Sequence, residues 1–250
     1  MKKVLIAAAL LVLTLFILGV LHIFWMQYKS QQLWRIVSQQ CVPHQQRQGE
    51  PEPCLAVNEA DHYAVFNDRN GPLHTLLLPT QEISGIESPL IVAANAENYF
   101  LSAWENRRFL KQRAAFEVKD DYLALAVNSR FGRTQNQLHI HLACLKKAPY
   151  QAIQQYAHQI GDDWQPLPGP IQGQAYIAIK ASRQQNPVLL LSNYVKKHGD
   201  SMQRYGLISL PADNDRVILL ASRAQFMPLN LASTESLLDV HCALAGGSQP

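Results

Sequence analysis

The longest apolar run in the chain covers residues 4–26 and is interrupted only by Thr14, Gly19 and His22. A helix rises about 1.5 Å per residue, so this run is long enough to cross the roughly 30 Å hydrocarbon core of a bilayer. A cleavable signal peptide has a shorter apolar stretch, of about 7–15 residues, followed by small residues. No such pattern follows Gly19, and the sequence therefore predicts a single retained N-terminal transmembrane helix.

The charges that flank this run indicate its orientation. Lys2 and Lys3 precede it, whereas Lys29 and Arg35 follow it. Basic residues near the ends of a span favour the cytoplasmic side. The bias is weak here, and it predicts a cytoplasmic N-terminus with the rest of the chain on the other side of the membrane.

Hydrophobic periodicity predicts alternating strands and helices over the rest of the chain. The predicted strands cover residues 63–68, 73–79, 121–127, 175–181, 205–210 and 217–222. The predicted helices cover residues 30–37, 93–115, 150–160, 187–196 and 234–244. The first two strands flank an Asn-Gly turn signal and the last two form a second hairpin of similar pattern.

The strictest alternation of apolar and polar residues lies at residues 137–142. Successive side chains of a strand point to opposite faces, so Gln137, His139 and His141 share one face and apolar side chains share the other. We expect a strand that packs its apolar face on a core and presents two imidazoles on the opposite face. A bare His-x-His pair is more often structural, or half of a metal site, so its meaning depends on its neighbours.

A polar turn at residues 128–136 leads into this strand. Asn128, Arg133 and Thr134 offer an amide, a guanidinium and a hydroxyl, and the backbone around Gly132 offers N–H groups. These are the groups that hold a phosphate. Plain hairpin turns have the same composition, so the turn indicates a phosphate site only together with the two histidines.

The composition excludes one class of partner. The chain carries 22 Lys and Arg against 19 Asp and Glu, a net charge of +3. A nucleic-acid-binding protein of this size has a basic patch interleaved with aromatic residues. The sequence contains no such patch, and we expect no nucleic-acid partner.

Four cysteines, Cys41, Cys54, Cys144 and Cys242, allow three pairings in an oxidising compartment. Cys41 and Cys54 flank a polar, proline-containing segment that a bridge would hold in place, so we expect this pair and, with it, Cys144–Cys242. Cys144 lies on the strand face opposite His139, which opposes a Cys/His nucleophilic pair. Four buried free thiols in a cytoplasmic domain are the alternative.

Taken together, these residues make the chain resemble the histidine triad superfamily, whose signature alternates histidine with apolar residues on a strand after a glycine-containing turn. His139 and His141 match the second and third triad positions, whereas Gln137 stands at the first. Residues 74–79 match the upstream His-x-Leu-x-x-Pro strand. An amide at the first position can donate and accept hydrogen bonds but cannot carry a proton.

The resemblance is greatest to a membrane-anchored branch of the superfamily, the CDP-diacylglycerol pyrophosphatases. It extends over nearly the full length and includes residues 70–73, 87–90, 128–136 and all four cysteine neighbourhoods. It implies an α+β fold, with a histidine-triad-like antiparallel sheet and flanking helices behind the transmembrane helix. It also implies the bacterial inner membrane, with the catalytic domain in the periplasm, and a role in phospholipid metabolism.

We therefore divide the chain into three parts: a membrane anchor at 1–28, a short helix and disulfide-tied linker at 29–60, and a catalytic domain at 61–250. The similar second hairpin raises the hypothesis that residues 150–250 are a degenerate repeat of the first half. Superfamily members often dimerise, so the resemblance also implies an oligomer as one option.

The resemblance implies a hydrolase that splits CDP-diacylglycerol into CMP and phosphatidate. Its nucleophile would be His139, which would form a covalent cytidylyl-histidine, and His141 would act beside it. Supporting contacts to the substrate's phosphates are implied for Asn128, Arg133, Thr134, Gln137 and His74. The resemblance implies no cofactor and no metal.

Three alternatives stay open at this point. The same intermediate could pass CMP to an alcohol acceptor instead of water. A protein without turnover could bind the nucleotide lipid as a sensor, since the first triad histidine is missing. A metalloenzyme could use His74, His139 and His141 as ligands.

Overall fold

The structure is a computed structural model that describes the backbone of residues 2–246 and the side chains of residues 13–22 and 24–246. Within that part of the chain, ten strands form one antiparallel sheet, and helices pack on it. The predicted α+β class with an antiparallel sheet is therefore confirmed.

The strands follow one another along the chain in a different order from their order in the sheet. They are β1 (Ala56–Asn58), β2 (Tyr63–Asn67), β3 (Thr75–Pro79), β4 (Leu123–Val127), β5 (Ile140–Leu145), β6 (Gln165–Pro166), β7 (Ile177–Ser182), β8 (Tyr205–Pro211), β9 (Arg216–Arg223) and β10 (Leu238–Asp239). The order in the sheet is β1-β2-β3-β5-β4-β8-β9-β7-β6, and β10 pairs with β5.

The helices are mostly short. They are α1 (Lys2–Ser30), α2 (Gln32–Ile36), α3 (Val42–Gln48), α4 (Tyr99–Glu105), α5 (Arg108–Arg113), α6 (Lys147–Tyr156) and α7 (Pro187–Lys197). A π-helical turn, Val37–Cys41, joins α2 to α3. Single 3₁₀ turns occur at Pro89–Ile91, Asp120–Tyr122, Ala157–Gln159, Met202–Arg204, Thr234–Leu237 and Ala243–Ala245.

Two predicted helices are wrong in extent. The helix expected at 93–115 is the pair α4 and α5, and the first of these begins only after Asn98, whose side chain accepts from the N–H of Leu101 at 3.2 Å. The helix expected at 234–244 is replaced by β10 between two 3₁₀ turns. Leu238 and Asp239 pair there with β5, so a long-range ladder overrides the local helix propensity.

The N-terminal run is helical from Lys2 to Ser30. Residues 4–12 of the predicted membrane span, and the side chain of Ile23, lie outside the side chains that the structure describes. Among the described residues, no helix has the length and apolar character needed to cross a bilayer. Large apolar side chains are exposed along the helix at Leu13, Leu15, Phe16, Ile17, Leu18, Leu21, Phe24, Trp25 and Met26.

The sheet contains two units of the same topology. In the first, β3 leads through α4 and α5 to β4 and then β5, and the sheet order is β3-β5-β4. In the second, β7 leads through α7 to β8 and then β9, and the sheet order is β7-β9-β8. The two units meet where β4 pairs with β8, with Ala126 opposite Ile208.

The two faces of the sheet are covered differently. One face packs against α4, α5 and α7 in a continuous core that includes Trp104, Leu110 and Leu191. The opposite face has two separate clusters, one under α6 around Ile153 and one against the Val37–Cys41 turn. The predicted histidine face lies between these two clusters, where the sheet is open to a cavity.

Candidate active site

A cavity of about 210 Å³ contains the two histidines of the alternating strand. Its polar wall includes Asp68, Asn128, Thr134, His139, His141 and Glu235. Its apolar wall includes Leu33 and Ile36 of α2 together with Phe66 and Leu76 of the first hairpin. One side of the cavity is thus lined by groups that can transfer protons and form hydrogen bonds, and the other side is apolar.

His139 lies immediately before β5 and is buried at 7 % exposure. Its Nδ1 lies 2.6 Å from the backbone carbonyl oxygen of Gln137. A carbonyl can only accept, so Nδ1 carries the proton and Nε2 keeps its lone pair. Burial, with the nearby charge of His141, lowers the pKa of His139 to about 4. At neutral pH this side chain is therefore an uncharged imidazole with a free nucleophilic nitrogen.

His141 and His74 are brought together by the pairing of β3 with β5, in which Leu76 lies opposite His141. Nε2 of His74 lies 3.0 Å from Nδ1 of His141, and their rings stack with centroids 5.1 Å apart. Burial, followed by the charge of His141, lowers the pKa of His74 to about 4. His74 is thus uncharged at neutral pH and shares a hydrogen bond with the adjacent imidazole through Nε2.

Glu235 completes this arrangement from the far end of the chain. Its Oε2 lies 2.8 Å from Nε2 of His141. Burial alone would raise the pKa of Glu235, but the hydrogen bond and charge of His141, with smaller effects of His139 and Asn128, lower it to about 2. Asn128 also accepts from the backbone N–H of Glu235 at 3.1 Å. The carboxylate is therefore ionised and held against the outer nitrogen of His141.

Glu235 and Asp68 are the two site residues that the sequence pattern does not reveal. Glu235 lies in a 3₁₀ turn where the sequence predicts a helix, and nothing local marks it. Asp68 has its Oδ2 3.5 Å from Nδ1 of His74, and its N–H donates to the carbonyl of His74 at 3.0 Å. Asn67 lies opposite Thr75 in the hairpin of β2 and β3, so the next pair outward is Asp68 and His74.

The predicted phosphate contacts divide into two groups. Asn128, Thr134 and His74 lie at the cavity or at its histidine pair. Arg133 does not line the cavity, because its guanidinium makes a bidentate pair with Glu87 at 2.6 and 2.7 Å. In the structure the Arg133 guanidinium is bound to Glu87, and its contact with a phosphate stays a prediction.

Gln137 is also directed away from the cavity. The side chain is fully buried, and its amide nitrogen donates to the carbonyls of Pro79 at 3.0 Å and Gln81 at 2.8 Å. Its amide oxygen accepts from the N–H of Ile83 at 3.2 Å. A phosphate contact of Gln137 likewise stays a prediction, and in the structure its polar atoms hold the segment that follows β3.

The turn at residues 128–136 is tied to the N-terminal helices. Gln135 accepts from the N–H of Leu33 at 3.2 Å and donates to the carbonyl of Lys29 at 3.1 Å. The N–H of Asn136 donates to the carbonyl of Ser30 at 2.6 Å. The end of α1 and the whole of α2 are therefore part of the site, and α2 forms one of its walls.

Comparison with known proteins decides the family. The family model described as CDP-diacylglycerol pyrophosphatase matches residues 28–246, which is most of the chain. This chain belongs to the CDP-diacylglycerol pyrophosphatase family. It is similar to the CDP-diacylglycerol pyrophosphatase of Yersinia pestis, with 41% identity over 214 residues that cover 84% of this chain and 83% of the relative. The match to the family includes every residue that lines the cavity.

All four cysteines of this family member are bridged. Cys41 joins Cys54 across a separation of 13 residues, and Cys144 joins Cys242 across 98. The second bridge lies on the far side of β5 from His139 and holds the segment that follows Glu235. The bridges therefore fix the two chain ends that contribute to the cavity.

One group of side chains has the composition of a metal site. Ligand atoms of Asp68, His74 and His141 all lie within 4.8 Å of one another. Asp68 approaches Nδ1 of His74, whereas His141 approaches Nε2 of the same ring. His74 thus contacts the other two groups through its two different ring nitrogens. His139, which the metalloenzyme alternative requires, is not in the group.

Proposed function

We propose that this protein hydrolyses the diphosphate bond of CDP-diacylglycerol, releasing CMP and phosphatidate. The observation that carries this proposal is the state of His139, whose Nδ1 donates to the Gln137 carbonyl and whose Nε2 is free and uncharged. An imidazole in that state can attack phosphorus without first losing a proton. Family membership supports the choice of a nucleotide-lipid diphosphate as substrate.

The reaction proceeds in two displacements. Nε2 of His139 attacks the cytidylyl phosphorus, forming a P–N bond as the bond from that phosphorus to the bridging oxygen breaks. Phosphatidate leaves with the bridging oxygen. Water then attacks the same phosphorus and gives up a proton to solvent, the P–N bond breaks, and CMP is released with the neutral imidazole restored. Splitting one difficult step into two in this way is the advantage of a covalent intermediate.

His141 acts on the leaving group in this scheme. The Glu235 carboxylate 2.8 Å away can only accept, so Nε2 of His141 carries a proton at the wall of the cavity. That N–H can donate to the bridging oxygen as negative charge develops on it. Asn128 and Thr134 supply further donors to the phosphate oxygens. Glu235 keeps His141 oriented and accepts from it when substrate is absent.

The apolar wall favours a lipid on one side of the cavity. Leu33 and Ile36 of α2 pack in one apolar cluster with Phe66 and Leu76, and all four line the cavity. The substrate's glycerol and acyl chains lie along this wall, and its diphosphate lies over the histidines. The acyl chains then continue along α1, whose apolar side chains are exposed.

In this proposal α1 is the anchor of a single-pass protein of the bacterial inner membrane, with the catalytic domain in the periplasm. The apolar run at residues 4–26 supports the anchor. The two disulfides support an oxidising compartment. The three-part division at residues 28 and 60 follows from the same proposal. The identical strand orders of the two units support a degenerate repeat in residues 150–250.

The test measures products and intermediate in the full-length protein. Cytidylyl-labelled CDP-diacylglycerol should yield labelled CMP and, after a rapid non-acidic quench, a labelled adduct on His139. His139→Ala should abolish both, whereas His158→Ala, a change at an exposed histidine, should alter neither. Binding of the lipid without adduct or CMP would contradict the proposal and favour a sensor. With glycerol present, a labelled CMP–glycerol product in place of CMP would favour the transferase.

A further inference from the structure

The largest exposed apolar projection among the described residues outside α1 is the loop after β9. Phe226 is 80 % exposed, Met227 91 % and Leu229 64 %. We call residues 226–229 the apolar tip. Phe131 and Leu231 lie at its base and are also exposed. Contiguous exposed apolar side chains of this kind mark a contact surface.

The apolar tip is held in a defined shape. Backbone hydrogen bonds of 2.8 and 2.9 Å pair Gln225 with Asn230 on either side of it. The buried amide of Asn230 donates to Ser222 and to the carbonyl of Arg223, and it accepts from the N–H of Ala232. A buried amide with three hydrogen bonds therefore holds these apolar side chains out in water.

The apolar tip is joined directly to the turn that carries the site. The N–H of Ser129 donates to the carbonyl of Ala232 at 3.1 Å. A side chain at Gly132 would lie 2.8 Å from the carbonyl oxygen of Leu231, so glycine permits this close approach. The same turn is bonded at Asn136 to Ser30 of α1. The segment that carries the tip and the end of α1 are thus both attached to the turn that leads into the site.

The charges around the apolar tip favour an anionic surface. Arg204 and Arg223 line the hollow beneath Phe226, and Arg130 is exposed on the adjoining turn. Asp200 pairs with Arg223 and lies 3.7 Å from Arg204, so one carboxylate faces two guanidinium groups. Apolar side chains above a basic rim are the pattern of interfacial membrane binding, in which anionic lipids attract the rim.

We propose that the apolar tip docks on a bilayer that contains anionic lipid and turns the cavity toward the membrane surface. This inference rests on the proposed function in one respect, since a lipid substrate gives the orientation its purpose. Docking by the tip is separate from anchoring by α1. A second contact at the tip fixes how the domain is rotated relative to the membrane surface. A single anchoring helix leaves that rotation free.

The test reads the position of the tip in the full-length protein reconstituted in vesicles of phosphatidylcholine and phosphatidylglycerol. Because the native cysteines are bridged, Met227→Cys adds one thiol for an environment-sensitive fluorophore. Asp213→Cys is the matched control, since it lies at the opposite end of the eight-residue strand β9, roughly 25 Å away. A doxyl-labelled lipid should quench the label at position 227 and not the label at position 213. Replacing the phosphatidylglycerol by phosphatidylcholine should weaken the quenching.

Equal quenching at both positions, or none at position 227, would overturn the proposal. A change at position 227 that depends on protein concentration and needs no lipid would assign the tip to a second copy of the chain, and would overturn it as well. As a second measurement, Phe226→Ser with Met227→Ser should raise the KM for CDP-diacylglycerol in vesicles. Turnover of a monomeric short-chain analogue should be unchanged. A wild-type protein inactive on both substrates would refute the proposed function while the quenching result still stood.

Discussion

His139 donates from Nδ1 to the backbone carbonyl of Gln137, two residues earlier, at 2.6 Å. The first position of the alternating motif therefore orients the nucleophile through its main chain. Its side chain points elsewhere and is bonded to the segment after β3. A glutamine at this position is compatible with a working nucleophile for that reason, and the absent imidazole leaves no gap in the cavity.

Replacing Gln137 by histidine should not accelerate the enzyme. Gln137→His removes an amide that satisfies two carbonyls and one N–H in a fully buried place. Each buried polar group left unpaired costs roughly 1–3 kcal/mol. We expect a lower melting temperature and an unchanged or reduced kcat for CMP release. A clear gain in kcat would contradict this account of the first motif position.

The pH dependence of activity should reflect the nucleophile. Only the neutral imidazole of His139 has a free lone pair, and burial lowers its pKa from 6.5 to about 4. Protonation, and with it the loss of kcat/KM, should therefore occur near pH 4 and not near 6.5. CMP release measured across the acid range tests this, and a fall centred near 6.5 would contradict it.

The stability of the fold needs a control in the same experiment. His74 and His139 have lower pKa values in the folded chain, about 4, than the ordinary 6.5. The unfolded chain therefore binds more protons as the pH falls below 6.5, and stability decreases over that window. Circular dichroism at each pH separates unfolding from protonation of the nucleophile.

Local pattern was sufficient to predict most strands and the composition of the histidine face. The hairpins at 63–79 and 205–223, and the pair His139 and His141, depend on alternation and turn residues that neighbours in sequence determine. Their partners were not predictable in the same way. Glu235 reaches His141 through pairing of distant strands, and periodicity carries no information about which distant strands pair.

The partners of two other predicted contacts were also beyond the sequence. Arg133 and Gln137 belong to a motif whose residue types suit phosphate. In the structure, Glu87 and the backbone at 79–83 bind their polar atoms, and local pattern does not predict these tertiary partners. Local pattern also does not give the order of strands in the sheet, although the similar second hairpin suggested a repeat.

Removing Arg133 should cost stability more than substrate binding. Its guanidinium is 7 % exposed and pairs with Glu87. Burial raises the pKa of Glu87, but the hydrogen bonds and charge of Arg133 bring it below its usual value. Breaking such a buried pair on one side costs about 3–5 kcal/mol. Arg133→Met should lower the melting temperature strongly, and Arg133→Met with Glu87→Leu should recover much of the loss.

The double variant also tests the phosphate role. If Arg133 contacts substrate, the stable double variant will have a much higher KM for CDP-diacylglycerol. We expect a KM close to that of the wild type. A large increase in KM with normal stability would show that Arg133 contacts the phosphates of the substrate.

The two disulfides should contribute unequally to stability. The Cys144–Cys242 bridge closes a loop of 98 residues and Cys41–Cys54 one of 13. Loop-closure entropy gives about 4–5 kcal/mol for the first and about 3 kcal/mol for the second. Serine pairs at each bridge should therefore lower the melting temperature in that order. Titration of the unreduced wild type should find no free thiol, and four reactive thiols would contradict the bridged state.

Glu235 should matter for turnover and not for binding. Its ionised carboxylate lies 2.8 Å from Nε2 of His141 and keeps the proton of that ring on the nitrogen that faces the cavity. A carboxylate in this place also repels an incoming diphosphate. Glu235→Gln keeps the shape and removes the charge, so we expect kcat to fall roughly 100-fold, the lower range for a positioned proton-transfer group. KM should stay level or decrease.

A fall in kcat without a rise in KM distinguishes a role of Glu235 in proton transfer from a purely structural role. A carboxylate that only braces the 3₁₀ turn at Thr234–Leu237 would lower stability, and activity would fall in proportion to the folded fraction. Glu117→Gln, at an exposed glutamate between α5 and β4 that does not line the cavity, serves as the matched control and should change neither constant. An unchanged kcat in Glu235→Gln, or a rise in KM alone, would show that His141 works without this partner.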